Sequence, residues 1–256
     1  MDEYEERYVA FIDILGFKNL VKDAEQDSTL LEKLVSILQG YEEYLKSSEE
    51  IDTIGQCTPN KFLLNMFRIV SFSDCVVIST KNDITGLVLI TTLITLMYNK
   101  LLYRGIFTRG ALSKGKLIHT PSIVLGAGLN NVVEFEKTAA IYPRILIDEP
   151  VLKDIRFYFE RQQVAGPNLC RKDFDGLYHL DLLHKKVIEM NSHTKGPKLE
   201  EEEKCNEYMV NIKQEIEKAL AKHPHDLAIK AKIRWLAQYF NESAESFGVS
   251  KIVIPE

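Results

Sequence analysis

The chain has few of the residues that mark secreted, zinc-binding or nucleic-acid-binding proteins. Only four of its 256 residues are cysteine, and their spacing matches neither a disulfide framework nor a zinc site, which favours reduced thiols. Acidic residues (37) outnumber lysine and arginine (32), so the net charge is −5 and the chain lacks the basic surface needed to bind a nucleic-acid backbone. A site for one mononucleotide needs only a local basic patch, and the composition leaves that class open.

A targeting segment and a long uninterrupted apolar run are also missing from the sequence. The first seven residues are acidic rather than basic, unlike a signal peptide. The longest apolar stretch, from Ile84 to Leu102, contains threonines, Asn99 and Lys100, which is typical of a buried helix rather than a membrane span. We therefore expect a cytoplasmic protein.

Two aspartates stand inside otherwise apolar stretches. Asp13 interrupts a run of β-branched and aromatic residues from Tyr8 to Phe17, and Asp74 interrupts a similar run between Ile69 and Ile78. An ionised carboxylate in such a place is costly unless it is neutralised, and two that come together repel each other unless a cation lies between them. Oxygen ligands suit Mg²⁺ or Mn²⁺, so the pair predicts a divalent metal site.

The hydrophobic pattern predicts an α+β protein whose mostly antiparallel sheet is covered by helices. The expected strands are 7–14, 66–73, 75–81, 105–117, 144–148 and 178–183; the expected helices are 20–45 (with a start at Asp27–Ser28), 84–102, 126–138, one that begins at Glu149–Pro150, 199–222 and 224–241. We expect a catalytic domain over residues 1–166, and a final strand and C-terminal helical extension packed on it over residues 167–256.

Three motifs resemble those of class III nucleotide cyclases. Residues 11–17 (Phe-Ile-Asp-Ile-Leu-Gly-Phe) resemble the first-strand motif, residues 71–74 (Ser-Phe-Ser-Asp) the hairpin turn with the second metal aspartate, and residues 126–131 the Gly-rich entrance to a helix. They occur in the family's order over residues 7 to about 147. The wording around them is most similar to the stand-alone pyrimidine cyclases of the bacterial Pycsar antiphage system.

This resemblance implies a ferredoxin-like cyclase core and a lyase reaction. A pyrimidine cyclase converts UTP or CTP into the 3′,5′-cyclic monophosphate and pyrophosphate with two Mn²⁺ or Mg²⁺ ions, and a separate effector responds to the product. Asp13, Asp74 and the backbone carbonyl of Ile14 would be the metal ligands. The enzyme would be a homodimer with active sites at its interface, where Asn130 and Arg109 of one subunit meet the metal ligands of the other.

The reaction also requires groups that hold the triphosphate and stabilise charge on the attacked phosphorus. Gly16 and Phe17 follow the first aspartate and open a helix, whose first backbone amides can bind phosphate oxygens. Asn130 matches the asparagine that supports the ribose in purine cyclases, although it is equally a candidate helix cap. The arginine expected four residues later is Glu134, so Arg109, or secondarily Arg104, is the candidate to supply that charge.

The base-reading positions of the purine cyclases are apolar in this chain. They are Val70 and Ile123, which cannot make the hydrogen bonds that select adenine or guanine. This favours a pyrimidine substrate, with UTP ahead of CTP. It also fits the alternative of an inactive, nucleotide-sensing relative, which Glu134 favours and the two aspartates oppose. A third reading is another palm-like nucleotidyl transferase, which would require a nucleic-acid groove or a Gly-Gly-acid-acid-Phe hairpin.

Overall fold

The structure is a computed structural model that describes residues 4–32, 34–35, 67–120, 122–160, 169–192, 201–222 and 226–254. The fold is α+β, with an open and mostly antiparallel sheet covered by helices, as the sequence predicts. The second half of the helix expected over 20–45 and the first two residues of the helix expected over 199–222 lie outside the described residues.

The strands are β1 (Glu5–Ile14), β2 (Phe67–Phe72), β3 (Cys75–Lys81), β4 (Thr108–His119), β5 (Val124–Leu125), β6 (Ile145–Ile147), β7 (Cys170–Lys172) and β8 (Tyr178–Leu180). The helices are α1 (Phe17–Ala24), α2 (Ile84–Leu102), α3 (Ala127–Ala139), α4 (Glu149–Ile155), α5 (Lys185–Ser192), α6 (Glu201–Lys222) and α7 (Leu227–Ala244). A π-helical turn, Arg156–Glu160, follows α4, and a 3₁₀ turn, Glu245–Phe247, follows α7.

The strands are ordered β2-β3-β1-β4-β6-β8-β7, and β5 pairs with β4 outside this path. All neighbours are antiparallel except β4 and β6. The first four strands of the order are the antiparallel arrangement of a ferredoxin-like core, in which the first strand is central. This topology places the end of β1 between the β2–β3 hairpin and the start of β4.

The two faces of the sheet are packed differently because side chains alternate along each strand. On one face, residues such as Tyr8, Ala10 and Ile12 join a large core that also includes side chains of α2, α4, α6 and α7. On the other, α3 covers a smaller core that includes Val9 and Val77. Asp13 follows the parity of Val9 and therefore belongs to the face that α3 covers.

Helix α2 lies in the centre of the larger core. It begins at Asp83, whose side chain accepts a hydrogen bond from the Gly86 amide over 2.7 Å, and it buries Leu87, Ile90 and Ile94 completely. Within the described part of the chain, it is the one helix long and apolar enough to cross a membrane. It is mostly buried against its own protein, as the core helix of a soluble protein is.

The structure departs from the predicted elements at several places, and helix α5, Lys185–Ser192, was not predicted at all. The helix expected over 20–45 is interrupted, because α1 ends at Ala24 and a new helical segment starts at Ser28, where the Asp27 carboxylate accepts the amides of Thr29 and Leu30. Strands β5 and β7 were not predicted, since two or three residues are too few to show an alternating pattern.

The C-terminal segment is continuous with the core. Strands β7 and β8 extend the same sheet beyond β6, and Met209, Ile212, Leu236 and Phe240 are fully buried in the same hydrophobic cluster as α2. The predicted boundary near residue 166 remains a prediction, and elements on both sides of it share one sheet and one core.

Candidate functional site

Asp13 and Asp74 occupy neighbouring positions at one end of the sheet. In the β1–β3 ladder Asp13 lies opposite Cys75, and one residue further the Ile14 amide donates to the Asp74 carbonyl oxygen over 3.0 Å. Asp74 lies in the two-residue turn between β2 and β3, where Ser73 has a left-handed backbone with φ of 53°. The fold therefore brings together two carboxylates that are 61 residues apart in sequence (74 − 13).

Arg109 approaches Asp13 from the opposite strand. It is the direct partner of Asp13 in the β1–β4 register, and its Nε donates to Asp13 Oδ2 over 3.1 Å. A second nitrogen, Nη1, donates to the Ala140 carbonyl at the end of α3 over 3.1 Å. The two bonds fix the guanidinium between the strand and the helix. Arg104, the second candidate, lies instead at the end of α2, where the neighbouring Gly105 abuts Glu215 of α6.

Glu136 completes the cluster and was not predicted. Its Oε1 lies 2.8 Å from Arg109 Nε, and its side chain is 5% exposed. That oxygen has no hydrogen-bond partner among the described residues, because the Nε hydrogen of Arg109 is directed at Asp13. The sequence signal was available: Glu136 has helical spacing with Val132 and Ala140, which are both buried.

The ionised forms of Asp13 and Glu136 are disfavoured by burial and by neighbouring negative charge. Burial raises the pKa of Asp13, and the negative charge of Asp74 raises it further, while Arg109 and Lys232 lower it. Burial likewise raises the pKa of Glu136, with Arg109 opposing and Asp13 adding to the shift. Lys232 belongs to α7, so the C-terminal extension contributes positive charge close to Asp13. Three carboxylates thus share one contacting guanidinium and one nearby lysine.

The two aspartates match the donor chemistry of a hard divalent cation. Carboxylate oxygens, a backbone carbonyl such as that of Ile14, and oxygens from a triphosphate or water form a normal set for Mg²⁺ or Mn²⁺. The excess negative charge around Asp13 also favours such a cation, because the cation would neutralise it. Among the residues described, no group of three or more His, Cys, Asp or Glu side chains could hold a metal ion. A cation would therefore be coordinated by two side chains, and Asp13 would give up its hydrogen bond with Arg109 to coordinate the cation.

The turn after β1 has the geometry expected of a phosphate-binding loop. Gly16 has φ of 73°, and a Cβ added to it would meet no atom within 4 Å. The Leu15 amide donates a hydrogen bond to the Phe107 carbonyl oxygen over 2.8 Å, and α1 then begins at Phe17. First-turn amides of a helix have no acceptor within the helix. The amides of Phe17 and Lys18 are therefore presented four and five residues after Asp13, whereas those of Asn19 and Leu20 already donate to the Gly16 carbonyl.

Asn130 and Glu134 lie on the exposed side of α3. The helix begins after Gly126, and the Asn130 amide bonds the Gly126 carbonyl at 3.3 Å, so Asn130 lies within the first turns and is not the cap. Both side chains are exposed, whereas Glu136 on the same helix points into the Asp13 cluster. The structure therefore brings Asp13, Asp74 and Arg109 together, whereas Asn130 lies apart from them on the exposed side of α3.

The two apolar base-reading positions are on accessible elements. Val70 is half-buried on β2, opposite Val77. Ile123 is 53% exposed just before β5, in a turn closed by a 2.8 Å bond from the Thr120 amide to the Ile123 carbonyl.

A scan against protein-family models and a search of curated proteins each find no match to the chain. Function is therefore inferred from the geometry of these residues and from the three motifs.

Proposed function

We propose that the protein is a pyrimidine nucleotide cyclase, which converts UTP, or CTP, into the 3′,5′-cyclic monophosphate and pyrophosphate. The observation that carries the proposal is the meeting of Asp13 and Asp74 at the end of β1, with Arg109 hydrogen-bonded to Asp13. An apolar strand end that carries two carboxylates and too few cations is a site in need of a divalent metal.

In the proposed reaction the ribose 3′-oxygen forms a bond to the α-phosphorus, the bond from that phosphorus to the β-phosphate oxygen breaks, and the hydroxyl proton leaves to solvent. Asp13, Asp74 and the Ile14 carbonyl would hold two Mg²⁺ or Mn²⁺ ions. When bound, such ions lower the pKa of the hydroxyl and neutralise the triphosphate. The amides at Gly16 and Phe17 bind phosphate oxygens at the start of α1.

Arg109 supplies the positive charge that Glu134 cannot supply. Its side chain is 25% exposed, so the guanidinium can reach a bound phosphate while Ala140 and Glu136 retain it from behind. Lys232 adds a second positive charge from α7. Positive groups that are fixed before the substrate arrives stabilise charge that develops on the phosphorus at little reorganisation cost.

A homodimer with active sites at the interface belongs to the same proposal. Asn130 is exposed and separate from Asp13 within one chain, which agrees with a role in the active site of a second copy. Exposed apolar side chains, among them Phe72, Ile123 and Leu125, are suited to burial between copies. By the same resemblance, the cyclic pyrimidine would be a cytoplasmic second messenger in antiphage defence that acts through a separate effector.

An inactive, nucleotide-sensing relative is the second candidate. The bond between Arg109 and Asp13 favours it, because a carboxylate committed to arginine is less available to a metal. Glu136 is the counter-argument, since its oxygen beside Arg109 gives the guanidinium another partner when Asp13 takes a cation.

The test is incubation of purified protein with each of the four ribonucleoside triphosphates and Mn²⁺, with products identified by mass spectrometry. We expect cyclic UMP or cyclic CMP from the wild type, and none from Asp13→Asn or Asp74→Asn. Asp23→Asn is the matched control, because Asp23 is 45% exposed and pairs with Lys222 away from the cluster. Binding of UTP without any product would favour the sensing module, and a cyclic purine would overturn the assignment of the base.

A further inference from the structure

A second polar cluster is buried at the opposite end of β1. Arg7, on the same face of the strand as Asp13, donates from Nε to Ser79 Oγ over 3.1 Å, and Ser79 Oγ lies 2.8 Å from His119 Nδ1. Ser79 is fully buried, and Arg7 and His119 are each 8% exposed. Asp13 is six positions after Arg7 on the strand, a separation of about 20 Å at the usual rise of a strand, so the two clusters are separate.

We assign the protons of this cluster from its hydrogen bonds. Ser79 Oγ accepts from Arg7, and we place its hydroxyl hydrogen on the bond to His119 Nδ1. Burial, together with the charges of Arg7 and Arg68, lowers the pKa of His119 to about 4, and the imidazole is neutral at pH 7. A neutral ring that accepts at Nδ1 carries its hydrogen on Nε2. The cluster therefore ends in an N–H donor.

Two buried donors of this cluster have no partner among the described residues. They are His119 Nε2 and Arg7 Nη2; the other terminal nitrogen of Arg7 pairs with Glu5. Buried N–H groups without acceptors are costly, and one of these belongs to a full positive charge. A group that offers only acceptors can bond such donors, and the two side chains that carry them are linked through Ser79 Oγ.

We propose that Arg7, Ser79 and His119 form a binding site for a small oxyanion, a phosphate or carboxylate group, separate from the Asp13 cluster. Arg7 provides the counter-charge and His119 a neutral donor, while Arg68 makes the surrounding potential more positive. Entry is on the side of Glu5, whose side chain is 38% exposed and which an incoming anion would replace at Arg7. His119 closes the site from β4, next to its pairing with β5.

The first test compares thermal unfolding in sodium phosphate, sodium acetate and sodium chloride at equal ionic strength. In the wild type we expect phosphate or acetate to raise Tm by about 3 °C when present at tenfold its Kd. The rise should vanish in Arg7→Met and His119→Phe, and persist in Lys153→Met, which removes an exposed cation, and in Asp13→Asn. Persistence in Asp13→Asn separates this site from the proposed cyclase centre. Equal Tm values in all three salts would overturn the proposal.

A second measurement keeps the proposal falsifiable if Arg7→Met does not fold. In wild-type protein the His119 imidazole is titrated by NMR in chloride and then in each oxyanion. A bound anion stabilises the imidazolium form and should raise the pKa of His119 from about 4 by about one unit. A response to phosphate but not acetate identifies a phosphate site, and the reverse identifies a carboxylate site. An unchanged titration means that nothing more than water satisfies these donors, and the site is then rejected.

Discussion

Arg109 Nε donates to Asp13 Oδ2 over 3.1 Å from the position directly across the β1–β4 ladder, and the same nitrogen lies 2.8 Å from Glu136 Oε1. One guanidinium thus lies between the Asp13 carboxylate at the open end of the sheet and the buried Glu136 carboxylate of α3. The first carboxylate is the proposed metal ligand, and the second is out of solvent. Arg109 therefore has a structural task toward Glu136 and a proposed catalytic task toward substrate, and the two can be separated.

Replacing Arg109 with methionine should destabilise the protein by about 3 kcal/mol, because it leaves the buried Glu136 carboxylate without its cation. The double variant Arg109→Met/Glu136→Met should recover most of that loss, since an apolar pair of similar volume needs no counter-charge. Cyclase activity should be absent from both. Urea unfolding and product analysis on the same preparations check this, and equal destabilisation of single and double variants would contradict the pairing.

Lys232→Met should lower cyclase activity about tenfold with little change in stability. The lysine is half-buried on α7 and its charge lowers the pKa of Asp13, so its removal makes the site less favourable to the ionised aspartate and to phosphate. The activity loss should shrink at higher pH, where Asp13 is ionised in either protein. Lys251→Met, at an exposed lysine, is the matched control. Unchanged activity in Lys232→Met would remove α7 from the site.

His119 should make stability fall in mild acid. The unfolded chain takes up the imidazole proton near pH 6.5, whereas the folded chain takes it up only near pH 4, so in this window the unfolded state binds more protons. The contribution of His119 is fully present above pH 6.5 and decreases by about 3 kcal/mol as the pH falls to 4. His119→Gln should flatten this part of the pH profile in urea unfolding. An equal slope in both proteins would contradict the neutral, buried imidazole.

Gly16→Ala should cost about 1 kcal/mol, the price of a side chain in the left-handed region, because no atom lies near the new Cβ. Gly110→Ala is the instructive comparison: a Cβ there would collide with the Phe11 carbonyl oxygen in the adjacent strand, so the loss should be several-fold larger. Thermal or urea unfolding of both variants measures the difference. Similar losses would mean that the turn at Gly16 is packed rather than open.

The sequence predicted the elements with strong periodicity and lost those whose signal is short or non-local. Helix α2 has the bounds predicted from the apolar run, Ile84 to Leu102. The ends of β2 and β3 lie within one residue of their predicted ends. The sequence predicted a helix start at Asp27–Ser28, but the end of the preceding helix at Ala24 was not predicted, although the polar run 25–29 follows it. Strands β5 and β7 exist through their partners and carry no pattern of their own.

The candidate site was predictable in its acidic residues and only partly in its cations. Asp13 and Asp74 were visible because charge is conspicuous in an apolar run, and the fold places them together. Glu136 was passed over beside Glu134 on an amphipathic helix, although its spacing with Val132 marks the buried side. Lys232 could not have been found, since its proximity to Asp13 depends on how α7 packs more than 200 residues later in the chain.

The central position of β1 has a consequence for how the protein is made. β1 is synthesised before the other described strands, yet its two neighbours in the sheet are β3 and β4, and Asp13 meets a partner 96 residues further along. Contacts of such long sequence separation form slowly, and an unpaired apolar strand is exposed to aggregation until they do. On the ribosome β1 must wait for residue 81 to emerge before either edge is covered, and the charge of Lys232 acts on Asp13 only after residue 232 has been translated. A prematurely released chain would therefore carry the proposed metal ligands without the complete set of charges around them.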